Sequence, residues 1–156
     1  MTDAVWIIDA KSGALIGKRR GKKPDPVVYL CFTADSKAVV FEQSGTIDVW
    51  SVAKDELLFT LGIPFRGDAG AIYAFRASRD NALIAVGFSG IENLIRGRVL
   101  LVDVKKESAI GWFEVGHDAL LDCVFVPNER KLITCGAGGK GITEWDLSEI
   151  WPNGKE

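Results

Sequence analysis

Between residues 116 and 147 the chain alternates apolar and polar side chains three times, over residues 120–126, 131–135 and 142–147. Each run stops at turn-formers, first Pro127-Asn128 and then the glycine-rich stretch 136–141. A period of two places every second side chain on one face of an extended strand, so these runs predict half-buried strands joined by tight turns. The same texture extends upstream. Strands are expected over residues 4–9, 14–17, 27–32, 38–42, 46–52, 57–61, 71–76, 82–88, 98–104 and 108–115. The turns between them carry Lys11-Ser12-Gly13, Asp35-Ser36-Lys37, Ser44-Gly45 and Lys54-Asp55-Glu56. No segment sustains apolar residues at i, i+3, i+4 and i+7 over three turns, which leaves helices out as the building element. The expected fold class is all-β.

The strands fall into a repeat. Third-strand positions Ile8, Trp50, Val102 and Trp145 are separated by 42, 52 and 43 residues, and Phe32, Phe75 and Phe125 keep the same phase in the first strands. Gly116-His117 opens the last unit, Phe125-Val126-Pro127 follows, and Trp145-Asp146 closes it. This pattern resembles the WD-repeat β-propeller family, whose four-stranded blades recur about every 40–45 residues. The resemblance implies four-stranded antiparallel blades of a partial β-propeller, about three in all. One domain over 1–156 is expected, with a partial blade at 4–17, blades at 27–61 and 71–115, and an incomplete blade at 119–147. Strands 27–32, 71–76 and 120–126 would be innermost. The family's hydrogen-bonded set of His, Ser/Thr, Asp and Trp maps onto His117 and Trp145, with Cys135 at the Ser/Thr position and Gly139 at the Asp position. In the blade of Trp50 the Asp position is Ser44 and no His is present.

Bulk properties exclude several classes. Nineteen basic against 21 acidic residues point to no polyanion as partner. No apolar run approaches the roughly 20 residues that span a bilayer. The N-terminus lacks a basic region and carries Asp3 and Asp9, so no signal peptide is read there. Three cysteines without a close-spaced pair fit a reducing compartment. The expected location is cytoplasmic, with nuclear as the alternative, and not secreted.

Candidate chemistry is sparse. The stretch 136–141 contains a GxGxxG, but a strand follows where phosphate binding needs a helix N-terminus. Gly87-Phe88-Ser89-Gly90-Ile91 lacks the last glycine of a nucleophile elbow. Cys31, Cys123 and Cys135 lie in strands, and one histidine without a CxxC makes no zinc site. Asp9, Asp103 and Asp146 recur at third-strand ends, which marks them as structural. No cofactor, metal site or catalytic residue is expected, and the chain is read as a non-enzyme.

Two loops carry the functional expectation. The run Lys18-Arg19-Arg20-Gly21-Lys22-Lys23 is placed between a fourth strand and the next first strand, and residues 87–97 form a long second-to-third connection. In a four-stranded blade those loops emerge on one rim. Arg66, Arg96 and Arg98 would form a basic patch there, joined by Lys18, Arg19 and Arg20, with Phe65 and Leu94 as apolar anchors. Such a patch suits an acidic peptide or protein surface. No aromatic residue interleaves with the basic run, which argues against nucleic acid. The expected function is a non-catalytic protein–protein interaction scaffold of WD-repeat type, binding a peptide or protein through the loop rim. The alternatives are a structural segment completing a larger propeller, or an enzyme or small-molecule binder using the central channel. Open blade faces would be covered by self-association or by further blades.

Overall fold

A computed structural model describes residues 4–20, 29–43, 45–64, 71–89, 96–139 and 141–150. The chain forms two compact units, Met1–Pro64 and Phe65–Glu156. Among the described residues it is almost entirely antiparallel β-structure, as the alternation predicts.

The first unit holds a two-stranded sheet, β1 (Ala4–Ile8) and β2 (Leu15–Arg20), and a four-stranded sheet. The latter runs in chain order through β3 (Leu30–Phe32), β4 (Ala38–Gln43), β5 (Thr46–Ser51) and β6 (Glu56–Gly62). Val5 and Ile7 of β1 pack on Val39 and Phe41 of β4, with Trp50 and Val52 alongside. The second unit repeats the plan with β7 (Ile72–Ala77), β8 (Leu83–Phe88), β9 (Arg98–Asp103) and β10 (Ser108–Glu114). A three-stranded sheet follows: β11 (Ala119–Phe125), β12 (Lys131–Ala137) and β13 (Ile142–Asp146). Ala74, Leu83, Ala85, Val99 and Leu101 of one sheet pack on Leu120, Cys123 and Leu132 of the other. Each Val or Leu among them taken from water contributes roughly 1.5–3 kcal/mol, so these faces stabilise the unit substantially.

The turns explain why the strands end where they do. Thr33 Oγ1 donates to Asp35 Oδ1 at 2.8 Å and accepts the Ala38 amide at 3.0 Å. Ser78 does the same one sheet later, with Asp80 Oδ1 at 2.6 Å and the Leu83 amide at 2.9 Å. In the last sheet Val126 has no hydroxyl to offer. Pro127 and Asn128 take over, with Asn128 at φ 63°, the backbone of a type II turn. At the other end, Asp9 Oδ1 accepts the amides of Lys11 and Ser12 at 3.0 and 2.7 Å, and Asp103 Oδ1 accepts that of Lys106 at 2.9 Å.

Several boundaries differ from those read in the sequence. Strand β2 runs on through Arg20, so Lys18, Arg19 and Arg20 stand in a strand and not in a loop. Strand β12 continues through Gly136 and Ala137, because their backbones pair with Leu120 and Ala119. Leu147 does not end a strand. It begins a four-residue helix, α1 (Leu147–Ile150), where Asp146 Oδ1 accepts the Ser148 amide at 2.8 Å and caps the turn.

Candidate interaction surface

The polar groups most suggestive of chemistry meet in the last sheet. Thr134 is fully buried, and its Oγ1 accepts a hydrogen bond from Trp145 Nε1 at 3.0 Å. His117, also fully buried, places Nε2 3.2 Å from the same oxygen and Nδ1 3.5 Å from the Gly138 carbonyl. A tautomer with hydrogen on Nδ1 completes one unbroken chain: Nδ1–H to Gly138, Thr134 O–H to Nε2, Trp145 N–H to Thr134. Sequence reading placed Cys135 at the Ser/Thr position, and that is corrected by one residue. Alternation puts Thr134 on the buried face with Leu132, while Cys135 pairs with Ile142 on the opposite face. The signal was available in the parity with Leu132. The equivalent registers of the other sheets hold Phe41 and Val86, both buried and apolar, so this lock exists in one sheet only among those described.

The recurrent carboxylates are engaged in turns. The Ser12 amide, then its hydroxyl, and the Lys11 amide hold Asp9 below the usual carboxylate range. The Ser148 hydroxyl and amide do the same for Asp146, and the Lys37 amide with the Thr33 hydroxyl for Asp35. Burial pushes Asp80 up, but the Ser78 hydroxyl and the amides of Ala82 and Asp80 outweigh it and leave the carboxyl lowered. Among the described residues no group of three or more His, Cys, Asp or Glu could hold a metal ion. No helix of the described residues is long and apolar enough to cross a membrane.

The residues singled out for the rim have separate fates. Phe65, Arg66 and Leu94 lie outside the described residues. Arg96 is exposed and followed by Gly97, whose amide donates to the His117 carbonyl at 2.7 Å and whose carbonyl accepts the Val115 amide at 2.9 Å. Those two bonds fix Arg96 beside the Gly116–His117 corner. Arg98 is not the open fork that was expected. Strand β9 turns its guanidinium over the Trp112 ring, 4.7 Å from the centroid, and toward Glu114 at 3.7 Å. Lys18 lies over the Trp6 ring, 3.8 Å from its centroid, on the face of sheet β1–β2.

The second unit also carries a cleft of about 440 Å³ between the hairpin turns at Ser78–Leu83 and Val126–Lys131, floored by Leu83, Phe125 and Leu147. Its size is ordinary for a ligand site. Its acidic groups are already engaged: Asp80 accepts from the Ser78 hydroxyl, and Glu129 pairs with Lys131 at 3.1 Å.

No protein-family model matches the chain, and no curated protein matches it. Among solved structures it is similar to the crystal structure of Sqt1 from Chaetomium thermophilum, a WD-repeat protein, with a TM-score of 0.74 at 14% identity. The match covers 95% of this chain and 39% of that one, so the chain spans well under half of that protein's length. At this identity the likeness is one of fold alone: antiparallel sheets of the kind that form propeller blades.

Proposed function

We propose that the chain is a non-catalytic interaction module that captures a peptide or protein segment of acidic character on the rim around Arg96. One observation carries this reading. Asp9, Asp35, Asp80, Asp146, His117, Thr134 and Trp145, the polar groups most suggestive of chemistry, are engaged in holding turns and locking strands. Arg96, by contrast, is exposed on a segment pinned at Gly97. An arginine on an anchored rim offers a planar fork for carboxylates at low ordering cost. Arg66, Phe65 and Leu94 remain part of the proposed patch.

A random-peptide display library panned on the immobilised chain tests the reading. Peptides rich in Asp and Glu should be enriched. Their capture should weaken as salt rises and fall severalfold in Arg96→Ala, with the thermal midpoint unchanged. Enrichment of no peptide class, or binding indifferent to Arg96→Ala, would reject it. A second reading, a segment that completes a larger propeller, is favoured by the exposed apolar faces of sheets β1–β2 and β11–β13.

A further inference from the structure

We infer that the cleft between the turns at Ser78–Leu83 and Val126–Lys131 is a second binding site, and that its occupant is the C-terminus of a peptide whose last residue is large and apolar. The site lies away from Arg96. Leu83 opens β8 and Phe88, paired with Arg98, closes it, so the cleft and the Arg96-Gly97 segment stand at opposite ends of sheet β7–β10.

Two turns built on one plan show which residues the fold does not need. Thr33 and Ser78 each use a hydroxyl to hold the carboxylate two residues on and the amide five residues on. Ser36 and Asn81 take the left-handed backbone, at φ 58° and 61°. Position for position, Arg79 stands where the first turn has Ala34, and Ala82 where it has Lys37. The turn therefore forms without an arginine at that place. Lys37 pairs with Asp35 at 3.4 Å, and the later turn lacks that lysine. Arg79 is exposed, and neither it nor Asp80 has an ion-pair partner among the described residues.

The other charges at the cleft are taken up. Glu129 is held by Lys131 at 3.1 Å, and Arg130 is half-buried and engaged. What the lining offers is an apolar floor of Leu83, Phe125 and Leu147 with one guanidinium and one carboxylate. Asp80 Oδ1 takes the Ser78 hydroxyl and the Ala82 amide, which leaves Oδ2 for an outside donor. Arg79 and Asp80 together are neutral, which suits a single carboxylate beside an amide and disfavours a polyacidic segment. The last residue of a peptide presents all three partners at once: its carboxylate to Arg79, its amide N–H to Asp80, its side chain to the floor. A benzene-sized ring fits about 150 Å³, so the cleft of about 440 Å³ has room for more than one side chain. A free amino acid would leave much of it empty. The walls are set before the ligand arrives, since the Leu147 amide donates to the Arg130 carbonyl at 2.8 Å and fixes α1 against the second turn.

The test uses fluorescence polarisation with short peptides of glycine and serine, labelled at the N-terminus and free of Asp and Glu. A peptide ending in phenylalanine or leucine with a free carboxylate should bind with a dissociation constant of about 1–100 µM. Amidation of that carboxylate, or a final serine in place of the apolar residue, should weaken binding at least about tenfold. Arg79→Ala installs the residue the first turn already carries, so it should keep the thermal midpoint and lose binding to the same extent. Arg96→Ala should bind as wild type does, which separates failure here from failure of capture at the rim. No binding up to about 1 mM overturns the proposal. So does equal binding of the amidated peptide, equal binding by Arg79→Ala, loss of binding in Arg96→Ala, or displacement by free phenylalanine at the peptide's own concentration, which would mark a small-molecule site.

Discussion

At the scale of single residues, Thr134 decides how the last sheet is locked. Its hydroxyl is the acceptor for the Trp145 indole and the neighbour of His117 Nε2 in a site closed to water. Thr134→Val keeps the shape and leaves two buried groups unanswered, so it should cost about 1–3 kcal/mol in urea unfolding. Cys135→Ser, on the outer face, should stay within about 0.5 kcal/mol. His117 and Trp145 were legible through the resemblance that the pairs Gly116-His117 and Trp145-Asp146 carry. Thr134 was not, because the glycines at 136–141 blur the count by one, and only strand parity restores it. The lowered carboxyls set a second expectation. Asp9, Asp35, Asp80 and Asp146 keep their charge in the folded chain to lower pH than in the unfolded one, which takes up protons first near pH about 4. Their contribution is therefore complete above that pH and lost as pH falls through the folded values. Thermal midpoints recorded from pH about 6 down to 2 should drop, and Asp80→Asn should drop less steeply.

At the scale of elements, the third-to-fourth-strand hairpins share a left-handed residue at one position: Gly13 at φ 71°, Asp55 at 53° and Glu107 at 51°. Only glycine adopts that region without cost. Gly13→Ala should thus destabilise by about 1 kcal/mol, and Glu107→Gly should be neutral or stabilise by up to about 1 kcal/mol, read as shifts in unfolding midpoint. Most strands were legible because alternation survives where one face is buried. Two ends were not. Lys18 to Arg20 read as loop on charge alone, yet a strand edge accepts long basic side chains, and here Lys18 lies along Trp6. The helix at Leu147 was also missed, although Asp146 followed three residues later by Glu149 is a capping signal.

At the scale of the whole molecule, blades pack through alternating faces, and the residues left on open faces and rims are the ones available to partners. Arg98 shows how easily the two are confused in a sequence. It reads as a twin of Arg96, but its partners Trp112 and Glu114 come from the neighbouring strand and become visible only once the register is known. Arg98→Ala should accordingly lower the unfolding free energy by about 0.5–1 kcal/mol, while Arg96→Ala should not move it. The central claim is that the polar core of the last sheet is a lock, and that function resides on the exposed surface. Peptide capture and thermal midpoint measured side by side on Thr134→Val and Arg96→Ala test it most directly. The account predicts that Thr134→Val lowers the midpoint and leaves capture intact, whereas Arg96→Ala weakens capture at an unchanged midpoint. Loss of capture in Thr134→Val with the midpoint unmoved would contradict it and make His117, Thr134 and Trp145 a chemical site.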